Sequence, residues 1–173
     1  KIDNEKNWAF IVHRLDRETS GVMIFAKHKR HKEYLQEQFA NRSVHRIYHA
    51  LIEGRPEKNN GIIREWLLED KFLRVKAVNK NHPNAKEAIT YWSVEDSDEF
   101  ASLLSLTIET GRRHQIRVGL ANLGHPVVGD KQHGAEGNPI GRIALHASSL
   151  ELLHPETDDP VRFEATIPFG PEN

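Results

Sequence analysis

Apolar and polar positions along the chain alternate in a way that predicts strands more often than helices. Two apolar runs, "WAFIVHR" at 8–14 and "GVMIFAK" at 21–27, have the length of buried strands and bracket a densely charged turn. From His31 to Asn41 the period changes to that of a helix, with Leu35 and Phe39 spaced i, i+4. "HRIYHALIEG" at 45–54 sets Ile47, His49 and Leu51 against Tyr48, Ala50 and Ile52, which is the period of a strand. Residues 54–61, with glycine, proline and two asparagines, read as a loop. Three further runs, "KFLRVKAV", "KEAITYWSVE" and "FASLLSLTIET", are rich in β-branched and aromatic residues. "GRRHQIRVGLANLG" then predicts a turn and a short helix with Ile116, Leu120 and Leu123 as its buried stripe, stopped by Gly124 and Pro126. "IALHASSLELLHP" and "VRFEATIPF" add two strands. About seven mostly consecutive strands and two helices predict an α+β domain: a mixed, largely antiparallel sheet with a few flanking helices.

Composition sets bounds on this picture. At 173 residues the chain has the size of one domain, and 38% hydrophobic with 28% charged residues is a globular balance. No apolar run reaches the roughly 18 residues of a membrane helix, so no membrane partner is expected. The absence of cysteine excludes disulfides and thiolate metal sites and fits a reducing cytoplasm. The net charge of −1 carries no signal for nucleic acid, but its distribution does. Between Lys27 and Arg46 stand Lys27, Lys29, Arg30, Lys32, Arg42 and Arg46 against only Glu33 and Glu37, whereas acid gathers in "EDSDE" at 95–99. Such a stretch can track phosphates, and charge alone fits a solvated helix face equally well.

Several site chemistries can be set aside. No glycine-rich phosphate loop is present. His45 and His49 lie i, i+4 on a strand without a third ligand nearby, so no metal site is expected. A triad drawn from Ser20, His114 and Asp130 lacks the glycine-flanked elbow of a nucleophilic serine. What remains is a set of short, polar segments punctuated by glycine: "HRLDRETSG", "RIYHALIEG", "TGRRHQIR", "LGHPVVGD" and "LHASSLELLHP". In the first, Arg14 and Asp16 are i, i+2 and share a side of an extended chain. A carboxylate among arginines stays ionised, which suits a nucleophile and not a general acid. Arg113 and Arg117, i, i+4 on the short helix, could each reach a carboxylate. Residue by residue, a surface ion pair explains each arginine as well.

Together these segments resemble the RluA-type pseudouridine synthases. The resemblance rests on His13-Arg14-Leu15-Asp16 with Thr19-Ser20-Gly21, on Tyr48 with Gly54, and on Thr110-Gly111-Arg112-Arg113-His114-Gln115-Ile116-Arg117. Gly124-His125-Pro126, Gly129-Asp130 and Leu145-His146-Ala147 follow in order, and the likeness runs from about residue 10 to 169. It implies a cofactor-free and metal-free isomerisation of uridine to pseudouridine in ribosomal or transfer RNA by a monomeric cytoplasmic enzyme. It further implies catalytic roles for Asp16 as nucleophile on the flipped-out nucleotide, Tyr48 as stacking group and acid/base, and Arg117 as the counter-ion of Asp16. Arg14 would occupy the place of the extruded base. Arg112, His114, Gln115, Lys27, Lys29, Arg30 and Arg46 would bind RNA. His13 and His114 receive no chemical step, and Asp130 is read as fixing a turn by bonding from its side chain to the backbone.

The chain departs from the family pattern at Gly119, where histidine is usual, at His133, where tyrosine is usual, and at Arg46, where lysine is common. Gly119 sits inside a helix without a reason visible in sequence. Family members also carry a Lys-Pro segment on an earlier strand. The expectation is a single catalytic domain over 1–173 lacking its N-terminal strands and any appended RNA-binding domain. Two rival readings stand beside this one. An RNA-binding module would have no use for a carboxylate in its groove, and a glycoside hydrolase would need two carboxylates flanking the bond.

Overall fold

A computed structural model describes residues 9–170. The chain order is β1 (Phe10–Ile11), β2 (Ser20–Gly21), β3 (Phe25–Ala26), α1 (Lys29–Ala40), β4 (His45–Glu53), β5 (Asn60–Glu69), β6 (Val75–Ala77), β7 (Lys86–Ser97), β8 (Ala101–Ile108), α2 (Gln115–Asn122), a 3₁₀ turn (Lys131–His133), β9 (Leu145–Leu153) and β10 (Pro160–Glu164). One sheet runs β10-β9-β4-β8-β7-β5-β6, with β2 added to β9. Every pairing in it is antiparallel except β2 with β9. The fold is therefore the expected α+β arrangement on a mixed, mostly antiparallel sheet.

Strand β4 sits between β8 and β9, so its alternation is the one on which the core is built. Ala50, Leu51 and Ile52 are buried with Leu104 and Leu106 of β8 and with Leu145 and Ala147 of β9. A bulge falls between Ile47 and Tyr48 in the pairing with β9, and such an irregularity re-aims the side chain beside it. A second cluster packs Leu35 of α1 against Val12, Ala26, Val44, Leu150 and Leu152. Gln38 ties the same helix to the end of β9, donating to the Leu153 carbonyl and accepting from its N–H.

Three expectations need correction. β5 covers Asn60–Glu69, of which sequence gave the first two residues to a loop and the rest to no element; it pairs with β7 over eight positions. The second apolar run is broken into β2 and β3, because Gly21 joins β9 while Phe25–Ala26 turn back to pair with β1. Trp8 of the first run lies outside the described residues. In α2, Ile116 and Leu120 are buried as expected, but Leu123 caps the helix and is 41% exposed; Val118 is buried instead. Gly119 now has a reason. A Cβ there would stand 3.0 Å from the Ile63 methyl, so glycine lets α2 lie close on β5. Among the described residues, no helix is long and apolar enough to cross a membrane.

Candidate active site

The charged turn that follows β1 is held at both ends before it presents Asp16. At its start, His13 Nε2 accepts the Ile24 N–H at 3.1 Å, and its ring stacks on Phe39 at 4.8 Å between centroids. Burial, helped by the Arg46 charge, lowers His13 to about 4, so the neutral ring that can accept this bond is the resting form. In the middle, the Thr19 N–H donates to the Asp16 carbonyl at 2.9 Å, closing a turn. At its end, the Ser20 hydroxyl contacts His146 Nδ1 at 2.7 Å and accepts from Arg142 Nη2 at 2.5 Å. Gly21 lies at φ +116°, where a Cβ would stand 2.1 Å from the Ala147 carbonyl oxygen, so no side chain fits at this crossing.

That turn forms one wall of a cleft of about 920 Å³. Six of the residues expected at the site line it: Arg14, Asp16, Arg46, Tyr48, Arg112 and Gln115. The other walls come from the end of α1, the β5–β6 hairpin and the loop before β7. Arg14 is exposed and Asp16 half-buried, while Tyr48 is buried at the base of the cleft. Burial pushes the Tyr48 hydroxyl above its ordinary value; Arg46 opposes this and Asp16 adds to it. The phenol is consequently protonated at neutral pH. Arg46 lies 5.6 Å over the Phe39 ring, and its buried Nε has no hydrogen-bond partner among the described residues. Burial lowers its guanidinium pKa.

Arg117 does not pair with Asp16 as expected. It lies beneath the cleft, 1% exposed, with Nε 2.6 Å and Nη2 2.8 Å from the two oxygens of fully buried Asp130. Glu18 stands 3.8 Å from Nη1. Burial opposes the Arg117 charge, but Asp130, followed by Asp16 and Glu18, outweighs it and raises the pKa. Asp16 therefore acts on this guanidinium through space and not through a contact. The reading of Asp130 is corrected too: its carboxylate receives Arg117 and does not bond its own turn. A carboxylate and an arginine 13 residues apart, with Gly129 between them and the loop before β9, give no spacing signal from which this pair could be inferred.

The remaining expected residues are distributed as follows. Gln115 spends its amide inside the protein, accepting from the Thr110 hydroxyl and the Arg112 N–H and donating to the Ile89 carbonyl and the Thr90 hydroxyl. His114 begins α2 at φ 52° and meets His133 at 3.1 Å; burial lowers both rings. Lys27, Lys29 and Arg30 stand exposed at the far end of α1 from the cleft, with Lys29 facing Glu33 and Arg30 facing Glu156. From the same basic stretch, Arg42 does line the cleft. Ser20, weighed above as a nucleophile, is engaged by His146 and Arg142 instead of His114. His49 is held by Ser148 and Glu95, and among the described residues no three potential ligands converge on a metal position.

Among the described residues three carboxylates line the cleft, and two are occupied. Glu69 accepts from Arg113 Nε at 2.9 Å, and Glu109 accepts the Tyr91 hydroxyl. Among the described residues Asp16 is left without such a partner; its charge acts on the protonated Tyr48 phenol, and Arg14, Arg42 and Arg46 line the same cleft.

Comparison with known proteins bears on the fold and the family. The family model described as RNA pseudouridylate synthase matches residues 2–122. The RNA pseudouridine synthase YhcT of Bacillus subtilis (strain 168) is 38% identical over 94% of this chain and 54% of its own length. Ribosomal large subunit pseudouridine synthase C of Yersinia pestis is 34% identical over 94% of this chain and 53% of its own length. The chain thus spans about half the length of these relatives. The solved structure of human RNA pseudouridylate synthase domain containing 1 superposes with a TM-score of 0.83, at 27% identity, over 95% of this chain and 71% of that one. With the fold, the order of the motifs and the match over residues 2–122 in agreement, the chain belongs to the RNA pseudouridylate synthase family.

Proposed function

We propose that this protein isomerises uridine to pseudouridine in ribosomal or transfer RNA, with Asp16 as nucleophile. The observation that carries the reading is Asp16, among the described residues the one cleft carboxylate without a protein partner, near enough to the Tyr48 phenol for its charge to act on it in a basic cleft. The target uridine turns out of its stack into the cleft and lies on the Tyr48 ring. Arg14, exposed at the mouth, fills the vacated place, where a planar cation stacks and bonds phosphate. Asp16 acts at the sugar, the C1′–N1 bond breaks, the uracil turns, C1′ bonds C5, and the C5 proton leaves. Tyr48, protonated and near the sugar, moves the proton this exchange requires. Arg117, fixed by Asp130, keeps positive potential beneath Asp16. Arg46 and Arg112 hold the phosphates that flank the target. A monomer in the cytoplasm suits a chain without cysteine, and the name of the Yersinia relative favours ribosomal RNA.

A glycoside hydrolase would need a second free carboxylate, and both other cleft carboxylates are bound. Nucleoside analysis after incubation of the purified protein with unmodified ribosomal and transfer RNA transcripts separates the two. Pseudouridine with no free uracil is expected; release of uracil would contradict the proposal.

A further inference from the structure

The β5–β6 hairpin ends in a five-residue tip, Asp70–Arg74, whose construction has no use in packing. Glu69 and Val75, paired at the last rung, both line the cleft, so the tip projects from the cleft wall. Asp70 fixes it: one carboxylate oxygen accepts the N–H groups of Phe72 at 2.8 Å and Arg74 at 3.0 Å, and the other accepts Arg74 Nε at 3.0 Å. Its backbone bonds Leu73 and Arg74 as well. The result is a hydrogen-bonded loop with Leu73 held at φ 62°, a strained conformation for a non-glycine residue. It exposes its apolar groups: Phe72 is 65% and Leu73 54% accessible. Lys71 Nζ and Arg74 Cζ lie 5.1 and 5.3 Å from the Phe72 ring centre.

An aromatic ring with open surface, flanked by cations at the rim of a basic cleft, matches what an unpaired RNA strand presents. A base offers a π-face and its neighbouring phosphates offer charge. Arg74 is partly neutralised by Asp70, which leaves Lys71 as the freer phosphate contact. Across the cleft Arg42, exposed at φ 59°, supplies a cation from the end of α1. We propose that Phe72 is a stacking platform for an unpaired RNA base next to the target nucleotide, with Lys71 holding the adjoining phosphate. The inference rests on the cleft being the RNA site.

The test uses the purified protein, an unmodified ribosomal RNA transcript and the variants Phe72→Ala, Phe72→Trp and Lys71→Gln. Stacking predicts that Phe72→Ala binds about tenfold more weakly with the salt dependence unchanged. Lys71→Gln should lower the salt slope by about one. The added tryptophan of Phe72→Trp should be quenched by RNA beyond the response of the wild type. Binding by Phe72→Ala equal to wild type overturns the platform, as does a Phe72→Trp emission that responds to anionic phospholipid vesicles and not to RNA. RNA binding by the wild type without isomerisation would overturn the functional reading and leave the platform standing. An unchanged melting temperature in Phe72→Ala, expected of so exposed a side chain, separates lost contact from lost fold.

Discussion

Tyr48 shows how much a position on a strand decides for one residue. Its alternation with Ile47 and His49 predicts only a face, whereas the bulge at Ile47/Tyr48 and the burial around it give a protonated phenol at the base of a cleft. Tyr48→Phe keeps the ring on which a base stacks and removes the proton. RNA affinity should stay within a factor of a few while turnover falls about 10²-fold or more; equal turnover would reduce the hydroxyl to packing. His13 makes the second prediction at this scale. Its folded pKa of about 4 lies below its ordinary 6.5, so the unfolded chain takes up the proton first as pH falls. The stability this group contributes is complete above pH 6.5 and is lost as pH falls through about 4. His13→Gln, which keeps an acceptor for the Ile24 N–H, should show a shallower acid decline in thermal midpoint. An unchanged decline would place the acid sensitivity elsewhere, for instance at His114, His133 or His146, which burial also lowers.

At the scale of elements, the long amphipathic and alternating segments are legible from sequence because their periodicity is set by one buried face. α1, β4, β7, β8 and β9 all fall where the pattern places them. β5 is missed because "GIIREWLLE" follows a glycine- and proline-containing loop and mixes charges with its apolar positions. Only the partners β6 and β7 on either side make it a strand. The short β2 is invisible to periodicity for a different reason: two residues are a strand only because β9 is there to receive them. That junction is also where the motif Thr19-Ser20-Gly21 acquires its meaning, as the clamp that ends the Asp16 turn. Gly21→Ala forces a Cβ into the Ala147 backbone and should cost about 3 kcal/mol or more in stability. A denaturant titration reading less than about 1 kcal/mol would show that the crossing can open without harm.

At the scale of the whole molecule, the site is assembled from segments distant in sequence. Asp16 comes from the first turn, Tyr48 from β4, Arg112 from the turn before α2, and Arg117 from α2 with Asp130 behind it. Motif order lets these segments be collected from sequence, but not their pairings, since each pairing depends on how the sheet brings loops to one edge. Arg117 accordingly finds Asp130 where Asp16 was expected, and the basic end of α1 at Lys27, Lys29 and Arg30 lies away from the cleft that Arg42 and Arg46 line. The central claim, that Asp16 performs the isomerisation, is tested most directly by tritium release from RNA labelled at uridine C5. The account predicts release by the wild type and a rate at least ~10³-fold lower for Asp16→Asn, with RNA binding retained. Release by Asp16→Asn at the wild-type rate would contradict it.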